Sequence, residues 1–213
     1  MKHDQQLLLE GNDDCHVVYA LCVDFDVPET FDVVDCNGVE KLLESLPVRL
    51  KGSSNLKTIG VVVDADFNPA TRWNTIRNIL IQSGKYADVP TSCPSDGLIL
   101  NPVNEDDIKF GLWMMPDNNA QGMLENFISF LIPEDDDLLP IVDETLNRLE
   151  SNGLNRYKSV HHEKARVHTW LAWQETPGTP MGLAITKKYL TTRPAICGDF
   201  VNWLNRLFNP EEE

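Results

Sequence analysis

Three times in its first 84 residues the chain passes from a short apolar run into an amphipathic one, and this alternation constrains the fold more than any other feature. "QQLLLE" (5–10) reads as a strand stopped at Gly11. In "DDCHVVYALCVDF", which follows, Val17, Val18, Leu21 and Cys22 fall near helical spacing, with Asn12 or Asp13 placed to cap the helix. "TFDVVDCNG" (30–38) is a second strand, closed by Asn-Gly. "GVEKLLESLPVRL" (38–50) is a second helix, with Val39, Leu42, Leu43 and Leu46 on one face and Pro47 near its end. "KTIGVVVDAD" (57–66) is a third strand, and its unbroken Ile and Val run suits a central parallel strand covered on both faces. Pro69 and Gly84 bracket a third helix. Such alternation predicts an α/β fold: an open, mostly parallel, Rossmann-like sheet flanked by helices. "GLIL" (97–100) and "FGLWMMPDN" (110–118) add further strands.

The pattern changes near residue 118. Residues 122–132, 137–151, 157–175 and 195–208 read as helices, "QETPGTPMG" (174–182) as a turn-rich loop, and the tail "NPEEE" as frayed. The expected organisation is an α/β core over 1–118 and a mainly helical extension over 119–213, packed on that core. The chain is long enough to bury a substantial core. No apolar run approaches the roughly 20 residues of a membrane span. The N-terminus lacks a signal-peptide pattern, so a cytoplasmic protein is expected. Five cysteines without a C-x-x-C pair argue against a disulfide framework or a structural zinc site. The formal net charge of -15 counts against tight stand-alone nucleic-acid binding, and it makes a basic protein partner an alternative.

The acids at the strand ends carry the functional reading. Ligands of a parallel α/β sheet bind outside the carboxyl ends of its strands. Glu10 ends the first strand, Asp64 and Asp66 the third, and Asp117 follows the "FGLWMMP" strand, so all four are expected along one edge. Asp64 and Asp66 would share a face if the strand persists that far. Asp14, in the first turn of the following helix, would lean back toward Glu10, and Gly11 would permit the sharp turn between them. Singly, each acid is an ordinary turn residue or helix cap. Together they would repel one another without a cation between them, and hard oxygen donors favour Mg2+ or Mn2+.

"LLLEGNDD" followed by "GVVVDAD" resembles the Toprim domain of primases, topoisomerases and OLD-type nucleases, in which a Glu-Gly ends the first strand and an Asp-x-Asp the third. The resemblance covers about residues 5–118, and its specificity lies in the order and spacing of short motifs. "MMPDN" and "GMLENFISFLIP" further resemble a small, stand-alone, uncharacterised Toprim-like family. The resemblance implies Mg2+-dependent chemistry on phosphodiesters. Glu10 would be the general base or acid, Asp64 and Asp66 metal ligands, and Asp14 the second acid seen in primase- and OLD-like members. Glu125 would hold a second metal, and Lys164 would serve as the later lysine of OLD-like nucleases, ahead of Lys187 and Lys188. Two departures stand out: the chain has no G-x-x-x-x-G-K-[ST] segment, and no evident topoisomerase tyrosine.

Other features read as structure. His161, His162 and His168 lack the i, i+4 spacing of a zinc pair. Trp170 and Trp173 read as core before they read as a base-stacking platform. Arg72, Arg77, Lys85, Arg166 and Arg193 are scattered and mostly solvated. The competing function is a non-catalytic module that binds a metal or nucleotide and acts through partners. A haloacid-dehalogenase-type phosphatase ranks last, because that family places its nucleophile after the first strand and a hydroxyl residue where Asn68 stands.

Overall fold

The computed structural model describes residues 2–52 and 55–210; the last three residues of the tail expected to fray lie outside them. Strand β1 (Gln5–Leu9) leads into α1 (Asn12–Asp24), β2 (Asp32–Asp35) into α2 (Val39–Leu50), and β3 (Thr58–Asp64) into α3 (Pro69–Ser83). Strands β4 (Leu98–Leu100) and β5 (Lys109–Met115) complete one sheet. It is open and five-stranded, in the order β2-β1-β3-β5-β4, parallel throughout except for β4 against β5. The fold is α/β, with the long apolar strand β3 at its centre.

Alternation along the strands sorts side chains between two cores. Leu7, Leu9, Val62, Trp113 and Met115 enter one; Leu8, Val61, Val63, Phe110, Leu112 and Met114 enter the other. The second core is closed by α2 and α3 through Leu42, Leu46, Trp73, Ile76 and Leu80. The first is closed by α1 and by the helices that follow the sheet: α4 (Leu124–Ser129), α5 (Leu139–Ser151), α6 (His162–Ala172), α7 (Met181–Thr186) and α8 (Ala195–Phe208). The C-terminal segment therefore supplies most of one helical layer and shares its core with the sheet. Helix α8 lies close to the sheet because Gly60 and Gly111, paired across β3 and β5, leave room for Leu207. A Cβ on Gly111 would stand 2.4 Å from a Leu207 methyl.

Several local expectations change. Helix α1 starts at Asn12 with Gly11 as its N-cap, and no side chain caps it, so neither Asn12 nor Asp13 does. Gly11 is extended (φ -149°, ψ 179°), a conformation open to any residue; the turn does not require glycine. The expected strand over 30–38 shortens to Asp32–Asp35, because Asn37 and Gly38 take positive φ. Helix α2 runs through Pro47 to Leu50, as the reading over 38–50 expects. The expected helix over 157–175 divides into a 3-10 turn at Ser159–His161 and α6. The turn-rich loop gives way at Met181 to the unforeseen α7, whose Gly182 meets the backbone of α1 at His16. Around α3 the reading holds: Asn68 accepts from Thr71 N (3.1 Å), Pro69 begins the helix, and Gly84 ends it at φ 67°. Among the described residues no helix is long and apolar enough to cross a membrane.

Candidate functional site

At the carboxyl ends of β1, β2 and β3 an open cleft is lined by Glu10, Asp13, Asp14, Asp35, Asp64, Glu125 and Lys164. Parallel strands set its base. Glu10 follows β1, Asp35 ends β2 and Asp64 ends β3, in registers that place Leu9 beside both Asp35 and Val62. Glu10 Oε1 accepts a hydrogen bond from Asp64 N (2.7 Å), joining the two strand ends. Asp64 Oδ1 in turn accepts from Leu124 N (2.9 Å), bringing the start of α4 over the cleft. Asp14 leans back over Gly11, with its Oδ2 3.5 Å from where a Cβ on that glycine would stand.

These acids crowd one another. Burial pushes the Asp64 carboxyl up to about 8, aided by repulsion from Glu10, Asp14 and Glu125. Burial likewise raises Asp14 to about 7, with Glu10 the main repelling charge and the N–H groups of Asp14 and Gly11 opposing the shift. Glu10 is also raised by burial, against the Asp64 N–H and the Arg72 charge. Glu125, only 3% exposed, behaves differently. Burial would raise it, but His168 and Lys164 hold it down to about 2. Its Oε1 lies 2.7 Å from Lys164 Nζ and 3.7 Å from His168 Nε2, the two side chains standing one turn apart on α6.

Not every acid singled out in the sequence joins this group. Strand β3 ends at Asp64, and Asp66 takes φ 52°, so the alternation that would align the two side chains is broken. Asp66 instead pairs with Arg72, while its backbone forms a two-way bridge to Gly122 (both bonds 2.8 Å). Asp117 caps a turn, accepting from Asn119 N (3.0 Å) and Ala120 N (2.7 Å), and it lines a separate groove with Arg193 and Phe130. Glu10, Asp14, Asp64, Glu125 and Lys164 are brought together. Asp35 and His168 went unnoticed as site residues. The i, i+4 spacing of Lys164 and His168, which puts both on one face of α6, is the signal in the sequence that points to His168. Most other basic side chains are committed elsewhere: Arg77 to Pro90 O, Lys85 to Asp107, Arg166 to Asp143 and Lys188 to Asp24.

The raised acids set the direction of pH dependence. Between pH ~4 and ~8 the folded protein holds protons on Asp14 and Asp64 that the unfolded chain has released, so stability falls as pH rises through that window. In EDTA, the melting temperature is expected to be higher near pH 6 than near pH 8. Asp64→Asn should flatten that dependence, and thermal scans across the two buffers check it.

Fold and site together define an α/β protein with an acid-lined cleft outside the carboxyl ends of its parallel strands. Residues 4–209 match the model of a family described as "Protein of unknown function (DUF3226)", and the chain belongs to that family. No curated protein and no solved structure matches it.

Proposed function

We propose that this protein is a Toprim-type enzyme that cleaves or transfers phosphodiesters with the help of Mg2+ or Mn2+. The observation that carries the reading is the gathering of Glu10, Asp14 and Asp64 in one cleft at the carboxyl edge of the sheet, where burial first, and their mutual repulsion after it, push the Asp14 and Asp64 carboxyls up. Crowded carboxylates at a ligand-binding edge destabilise the protein alone, and a divalent cation relieves them. The donor chemistry fits, since all three offer hard oxygens. Among the described residues no three such side chains already converge as a ligand set, so the reading includes their turning inward.

In this reading Asp64, Asp14 and Glu10 would hold the ion. When bound, it would neutralise phosphate charge and lower the pKa of a bound water. Glu10 takes or returns the proton of the attacking or leaving oxygen; burial raises its carboxyl above the ordinary glutamate value, which favours proton uptake. Lys164, about half exposed, reaches the cleft and donates to a phosphate oxygen. Glu125 orients it, because a buried carboxylate beneath the ammonium fixes where the charge stands. Asp66 serves the loop beside the cleft through Arg72.

The test is cleavage of single-stranded DNA, single-stranded RNA and plasmid by purified protein. Activity is expected with Mn2+ or Mg2+ and none in EDTA. Inactivity on all three substrates with metal binding intact would instead favour a non-catalytic module that acts through a partner, for which the charge of -15 suits a basic protein.

A further inference from the structure

Phe67 stands out in the loop after β3. It is 66% exposed and lies three residues beyond Asp64, at the carboxyl edge of the sheet. A single exposed apolar side chain is ordinary. Val23, Val48, Val103 and Leu154 are comparably exposed, but Val23 and Val48 sit in the last turns of α1 and α2, which lead back to the opposite edge, Val103 lies between β4 and the start of β5, and Leu154 follows α5. Phe67 differs in place and in how its neighbours are held. Asp66 before it is fixed by the two-way backbone bridge to Gly122 and by Arg72. Arg72 Nε also donates to Asp64 O (2.9 Å), tying the loop to the strand end. Asn68 after it accepts from Thr71 N (3.1 Å) as the cap of α3. The ring is thus presented to solvent by a loop anchored on both sides, at little ordering cost on binding.

We infer that Phe67 is a stacking platform for an unpaired nucleobase of the strand whose phosphodiester enters the cleft. This deepens, and rests on, the phosphodiester reading above. It specifies the substrate as single-stranded nucleic acid, since a base within a duplex has no free face to offer. It also answers the charge problem. A chain of net charge -15 gains little from phosphate contacts, whereas base stacking on an aromatic ring does not depend on net charge.

The test measures binding of two fluorescently labelled strands by anisotropy, with Mg2+ and in a Glu10→Gln background so that the strand stays intact. One is an oligothymidylate of about twelve nucleotides. The other is an abasic strand of the same length. Phe67→Ala and Phe67→Leu are expected to bind the oligothymidylate roughly tenfold more weakly than the parent, and Phe67→Tyr equally well. All should bind the abasic strand alike, and the exposed position should leave melting temperatures unchanged. Phe67→Ala binding the oligothymidylate as tightly as its parent overturns the stacking role and leaves the phosphodiester reading standing. Equal loss on both strands also overturns it, by assigning Phe67 a structural role. A parent that binds neither strand removes the phosphodiester reading itself.

Discussion

Glu10→Gln is expected to lower phosphodiester cleavage by roughly a hundredfold to ten-thousandfold, because an amide cannot take up the proton that a carboxylate accepts. The fold should survive the change. The amide oxygen can still accept from Asp64 N, as the Glu10 carboxylate does across the strand ends. Removing the charge also relieves Asp14 and Asp64, both pushed up in part by Glu10. A melting temperature equal to or above the parent's, with activity gone, is therefore the expected pair of results. Activity that persists in carefully purified Glu10→Gln contradicts the assignment of Glu10 as the proton-transferring group.

The largest expected effect on stability is at Trp203. This α8 residue is fully buried, packs against Trp113 and Phe200, and donates from Nε1 to Leu98 O (3.1 Å). It also fills the space beside Gly97, where a Cβ would stand 2.4 Å from its ring. Trp203→Ala removes this packing and leaves a cavity at the join between α8 and strands β4 and β5. A loss of about 3–5 kcal/mol is expected. For a chain of this size that corresponds to a fall of about 6–20 °C in melting temperature. Far-UV circular dichroism should show one cooperative transition, because the C-terminal helices and the sheet share a core. Two separate transitions in the parent protein would contradict that shared core.

The sheet was largely legible because its signals are local. The continuous Ile and Val run of β3, the alternation of strand and helix, and the Asn68-Pro69 start and Gly84 stop of α3 each follow from nearby residues. What escaped depends on contacts distant in sequence. Helix α7 is short and carries Gly182 at its second position, so its helical state rests on packing against α1 rather than on propensity. The candidate site shows the same divide. Glu10 and Asp64 could be placed together because each ends a strand, and parallel pairing brings strand ends side by side. Asp66 could not, since its direction depends on a left-handed backbone turn, a bridge to Gly122 and an ion pair with Arg72. Glu125 reads in the sequence as the holder of a second metal, whereas its engagement with Lys164 and His168 depends on how α4 and α6 pack.

Anomalous diffraction from crystals grown or soaked with Mn2+ tests most directly whether the acid cleft holds a divalent cation. The expected result is an anomalous peak in contact with the Asp64 carboxylate and with Glu10, Asp14 or both, lost in Asp64→Asn. A Mn2+ peak elsewhere on the protein with the cleft free of one, or a cleft peak undiminished in Asp64→Asn, would contradict it.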